Sequence, residues 1–75
     1  MTDQEYAVVL VYSTNYALKA EKVLQGAGVE CKLIPVPRQL SSDCGVCVRI
    51  KGKDSKTVLG LLADSQVQIE GIHAL

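Results

Sequence analysis

The sequence predicts an α+β fold in the element order βαββαβ, and three observations predict it. The run Tyr6-Ala7-Val8-Val9-Leu10-Val11-Tyr12 is β-branched and aromatic, with no polar residue on either face. Two later stretches, around residues 16–27 and 58–62, repeat apolar residues at helical spacing, and each follows a strand-like run. Between them, residues 29–36 and 45–51 alternate as strands do, separated by a polar, turn-rich segment.

The first strand, apolar on both faces, reads as a central strand covered from both sides. Ser13-Thr14-Asn15 supplies N-cap candidates for the helix that follows. Tyr16, Ala20, Val23, Leu24 and Ala27 form that helix's apolar stripe, with Lys19, Lys22 and Gln25 on the wet side. Gly26 and Gly28 are placed to end it, because glycine accepts the left-handed cap conformation. Val29 to Val36 is the second strand, Val29, Cys31 and Leu33 sharing one face opposite Glu30 and Lys32. Pro35 and Pro37 make it an edge strand or the fraying end of one, since proline cannot donate to a ladder. Arg38 to Cys44 is a loop by composition. Gly45 to Lys51 is the third strand, with Val46, Val48 and Ile50 on one face and Cys47, Arg49 and Lys51 on the other. Gly52-Lys53-Asp54 turns the chain, and Asp54 is the expected N-cap of a second helix with Val58, Leu61 and Leu62 buried. Gly60 inside that helix costs about 1 kcal/mol against alanine unless close packing demands it. Val67 to Ile72 closes the series as a fourth strand.

This is the ferredoxin-like, split-βαβ arrangement: a four-stranded antiparallel sheet with two helices on one face. The second face would be left open with apolar residues on it, among them Val9 or Val11, Ile34 and Val36. A monomer seldom leaves such a patch in water, so a homodimer or a docked partner on that face is expected.

Bulk properties narrow the function classes. The 75 residues make one domain, residues 1–75, and 48% are apolar, enough for a core without a large internal pocket. Zero formal net charge and only three tyrosines argue against nucleic acid, which selects basic stripes and stacking platforms. The acidic start Met-Thr-Asp-Gln-Glu is unlike a secretory signal, and no apolar run approaches the roughly 20 residues of a membrane helix. Three cysteines, an odd number, do not form a secreted disulfide framework. A soluble cytoplasmic protein with free thiols is the expectation, with no membrane contact.

Catalytic constellations are few: there is no phosphate-binding glycine pattern and no carboxylate cluster. The single histidine, His73, reads as a surface residue. Cys31 falls on a strand's apolar face and reads as core. Cys47 is open between packing and a partly exposed second thiol. Cys44 stands apart, in a polar loop after Ser41, Ser42 and Asp43 and before Gly45, whose missing side chain lets another molecule near the sulfur. Cys44-Gly45-Val46-Cys47 spells C-x-x-C, but an extended segment separates the two by about 10 Å, beyond the roughly 7 Å a disulfide spans between Cα atoms. No metal site is expected, because too few further ligands remain. Single-thiol nucleophilic chemistry at Cys44 is left. Arg38 supplies positive field and Ser41 and Ser42 solvate the thiolate, whereas Asp43 opposes ionisation.

Two stretches resemble a known family. Ser13-Thr14-Asn15-Tyr16-Ala17-Leu18-Lys19-Ala20-Glu21-Lys22 is similar to a helix-opening S-T-x-x-A-L-x-A-E-K, and Pro35-Val36-Pro37-Arg38-Gln39-Leu40-Ser41-Ser42-Asp43-Cys44-Gly45 to a P-x-P-R-x-x-S-S-x-C-G loop. Both, with the closing Glu70-Gly71-Ile72, resemble the selenium/sulfur carrier protein-like family. The resemblance implies a ferredoxin-like fold and a persulfide or selenopersulfide held on Cys44, with Arg38, Ser41, Ser42 and Gly45 around it. It implies a carrier rather than a stand-alone enzyme, no cofactor of its own, a cysteine desulfurase-like donor and a separate acceptor. Two other functions stay open: an interaction or small-ligand module using the apolar sheet face, and a Cys44/Cys47 thiol–disulfide switch.

Overall fold

The computed structural model describes residues 5–40 and 45–75. Its elements are β1 (Tyr6–Val11), α1 (Thr14–Gly26), β2 (Cys31–Pro35), β3 (Val46–Lys51), a single 3₁₀ turn (Gly52–Asp54), α2 (Ser55–Asp64) and β4 (Ile69–Ala74). The strands form one sheet in the order β2-β3-β1-β4 with every neighbouring pair antiparallel. This is the ferredoxin-like arrangement. β1 is central, and β2, with its proline, is an edge. Leu10 pairs with Gly71 but Val11 with Ile69, so Glu70 is the extra residue of a bulge at the start of β4.

Ser13 is the N-cap of α1: its backbone is extended and its hydroxyl accepts from the Tyr16 N–H at 3.4 Å. Both helices end in the same Schellman motif. After α1, Gly28 adopts φ +80°, its N–H donates to Gln25 O and the Val29 N–H to Leu24 O. After α2, Gln66 adopts φ +60°, its N–H donates to Ala63 O and the Val67 N–H to Leu62 O. These caps explain why β2 starts at Cys31 rather than Val29, and β4 at Ile69 rather than Val67. The first apolar residue after each helix is spent on the cap and on the core beneath it. They also move Ala27 out of the α1 stripe, which Ala17 joins instead. At α2 the Asp54 side chain makes no capping bond; the Ser55 hydroxyl donates to the Gly52 carbonyl at 2.8 Å.

The main core lies between the helices and one sheet face: Ala7, Val9 and Val11 of β1, Val48 and Ile50 of β3, Ala17, Ala20 and Leu24 of α1, Val58 and Leu62 of α2, and Val67. Val9 and Val11, with no exposed surface, thus face the helices rather than the second sheet face. That second face carries its own apolar cluster of Val8, Leu10 and Cys47, against which Ile34, Val36 and Leu40 pack. Ile34 and Val36, expected to lie open on that face, are half-buried against this cluster. No described helix is long and apolar enough to cross a membrane.

Candidate functional site

The motif loop starts where β2 and β3 part. Pro35 is the last residue of the ladder, paired with Val46, and its missing N–H does no harm because β2 is an edge. One step beyond, the Val36 N–H donates to Gly45 O at 3.2 Å, which closes the loop at its base. The chain then reverses through Pro37-Arg38-Gln39-Leu40, the Leu40 N–H donating to Pro37 O at 3.0 Å. Arg38 and Gln39 are exposed at this corner. Leu40 comes back to the sheet and packs with Val36 and Ile34 on Val8, Leu10 and Cys47.

Gly45 sits where the loop rejoins the sheet, exposed and at φ +81°. A side chain there would meet nothing within 4 Å, so the demand for glycine comes from the backbone conformation. Arg38 and Gly45 thus lie on opposite arms of the same loop. Ser41, Ser42 and Cys44, expected to complete the site, lie outside the described residues.

Cys47 is fully buried, its Sγ 3.9 Å from the Pro35 carbonyl. It belongs to the small cluster under the loop. Cys31 lies on the helix side, half-buried, with Sγ donating to the Glu21 carbonyl at 3.8 Å. Burial, helped by the Glu21 carboxylate, pushes its thiol pKa up, which keeps it protonated and poorly nucleophilic. His73 is exposed on the second sheet face, where Val8 is its cross-strand partner. Its ring lies over Gly71: a side chain at 71 would come to 3.4 Å from Nε2.

Among the described residues there is no enclosed cavity and no group of three metal-ligating side chains. What the described residues offer is a braced loop standing on a sheet. The brace is the part that the sequence pattern does not show. Val36 reads from the sequence as the end of a strand and Leu40 as a member of a polar loop, yet both anchor the loop. The available signal was Leu40, a lone apolar residue in the polar run from Arg38 to Asp43.

The model of the family described as Putative Se/S carrier protein-like matches residues 6–74. The chain belongs to this family. The matched span runs from the first residue of β1 to the last of β4 and so includes the loop between β2 and β3. No curated protein and no solved structure matches the chain significantly. This member of the Se/S carrier-like family has a cysteine, Cys47, in the small core beneath Leu40.

Proposed function

We propose that the chain carries sulfane sulfur or selenium on Cys44, as a cytoplasmic single-domain carrier. The observation that carries this reading is membership of the Se/S carrier-like family across 6–74. The geometry supports it: a closed loop base and an apolar anchor at Leu40 hold the arms of the loop that contains the motif cysteine. In the transfer step, the Cys44 thiolate attacks the outer sulfur of a donor's cysteine persulfide. The donor's S–S bond breaks, the donor cysteine leaves as a thiolate, and Cys44 holds the persulfide. An acceptor nucleophile then takes the outer sulfur and Cys44 returns as thiolate, with no net oxidation in either step. Arg38, Ser41 and Ser42 favour the anionic forms, and Gly45 leaves the approach to sulfur clear.

Intact mass after incubation with a cysteine desulfurase and cysteine is the test. The wild type should gain one reducible sulfur, and Cys44→Ser none; equal gain by both refutes the proposal. The same spectra address a Cys44/Cys47 switch, which requires a loss of two hydrogens on oxidation. An apolar docking module is less favoured, because Val8, Leu10 and Cys47 are already buried within the chain.

A further inference from the structure

The second sheet face changes character along its length. Its end nearest the loop is the apolar row of Ile34, Cys47 and Leu10, partners across three strands. The next row is Lys32, Arg49, Val8 and His73, again in register across all four strands. Beyond it, Tyr6 is opposite Lys51. Two of these side chains are held in place. The Arg49 guanidinium lies 4.4 Å from the Tyr6 ring centroid, and Lys51 is 3.4 Å from a carboxylate oxygen of Glu30.

Lys32 and Arg49 are direct cross-strand partners of like charge, an arrangement unfavourable to folding. Lys32 is exposed, and among the described residues neither cation forms an ion pair. The chain as a whole has zero net charge, so this clustering is local. Arg38, exposed in the turn before Leu40, adds a further cation on the loop that packs against the same face. Basic groups beside an oriented arginine–tyrosine pair suit a protein interface, where both residue types are enriched.

We propose that this basic face docks an acidic surface patch of the protein that exchanges sulfur or selenium with the chain; the identity of that partner rests on the carrier reading. Charge complementarity selects the occupant: carboxylates would relieve the Lys32–Arg49 repulsion and approach the loop from the side of its anchor. A nucleic acid is less suited, because a neutral chain offers little long-range field to a polyanion.

Titration of the full chain with a poly-glutamate peptide, followed by amide chemical shifts, tests the surface itself. Shifts should concentrate at Tyr6, Lys32, Arg49, Lys51 and His73. Reversing both Lys32→Glu and Arg49→Glu should weaken binding about tenfold or more, with the remaining affinity less sensitive to salt. Lys32→Glu alone leaves the Arg49–Tyr6 stack intact and should reproduce part of the loss, whereas Lys19→Glu with Lys22→Glu on α1 should change nothing. Shifts centred on the helices, or binding indifferent to Lys32→Glu, overturn the proposal. So does tighter binding of an oligothymidylate at the same face. In the loading assay, Lys32→Glu should slow transfer from the desulfurase but not from a low-molecular-weight persulfide; equal rates from the desulfurase overturn the docking surface and leave the carrier intact. If neither source loads the wild type, the carrier reading fails and the peptide titration alone decides the surface.

Discussion

Replacing Leu40 by alanine removes the apolar anchor of the motif loop without touching the main core. The side chain is half-buried and packs, with Val36 and Ile34, on Val8, Leu10 and Cys47, all nearly or wholly inaccessible. Full burial of a leucine is worth about 1.5–3 kcal/mol, so a half-buried one is worth less. Cavity costs at a rim site are small because water can enter. We therefore expect Leu40→Ala to cost about 1–2 kcal/mol, below most buried leucine truncations. A chain of 75 residues has roughly 4–11 kcal/mol of total stability at the usual per-residue range, so the variant should stay folded. Urea unfolding gives the first readout. The second is the rate at which a thiol reagent modifies Cys47 in fully reduced protein freed of reductant, identified by peptide mass. Cys47 has no exposed surface, and its labelling should accelerate when its cover is trimmed. Cys31, on the opposite side of the sheet, should label at an unchanged rate. A variant as stable as wild type, with Cys47 equally slow to react, would refute the claim that Leu40 holds the loop down.

Three further outcomes follow from the structure. Gln66 and Gly28 occupy equivalent left-handed positions in matched helix caps, so Gln66→Gly should raise stability by about 0.5–1 kcal/mol and Gly28→Ala should lower it by about 1 kcal/mol, both by urea unfolding. Gly60 is exposed inside α2 and a side chain there meets nothing within 4 Å, so Gly60→Ala should stabilise by roughly 0.5–1 kcal/mol, a melting-temperature rise of about 2–8 °C in calorimetry. Burial raises the Cys31 thiol pKa above its ordinary 9.0, so the folded state favours the neutral thiol. The stability this provides is complete below pH 9.0 and is lost as pH climbs through the folded-state value. Denaturation between pH 8 and 11 should show wild type losing more stability than Cys31→Ala; parallel curves would count against the burial argument.

Much of the architecture could be read from local patterns, because these patterns report burial directly. β1 could be assigned a central position since its two faces are both apolar, and β2 an edge position since Pro35 cannot donate. Boundaries moved where a residue served two elements. Val29 and Val67 alternate like strand residues, yet each closes a Schellman cap and packs on the core, and no pattern of period two distinguishes these uses. The site was legible only as chemistry. Cys44, Arg38 and Gly45 stand out by type and spacing, whereas the function of Leu40 depends on a chain reversal that composition does not specify. Cys47 was ambiguous because its neighbour on the same face, Arg49, is polar. Its burial comes from a segment that lies several residues earlier in the chain.

The division of the apolar residues into two clusters has a physical consequence for the loop. β1 contributes Ala7, Val9 and Val11 to the core under the helices, and Val8 and Leu10 to the patch under the loop. The helices stabilise only the first of these. Among the described residues, the second is covered by Ile34, Val36 and Leu40, from an edge strand and its continuation, with the Val36 to Gly45 backbone bond closing the base. Local opening free energy follows local buried contact, so this layer should open more readily than the sheet it stands on. Lifting Leu40 requires giving up a fraction of one small cluster, whereas moving β1 or β3 would disrupt both cores at once. A layer of side chains mounted in this way can lift while the four strands keep their register. That combination suits the carrier role proposed above, in which the reactive atom would meet a donor and then an acceptor while the protein remains folded. The adjustable layer is then Val36 and Leu40, and the basic face next to it, formed by residues fixed in the sheet, is the constant part of the surface.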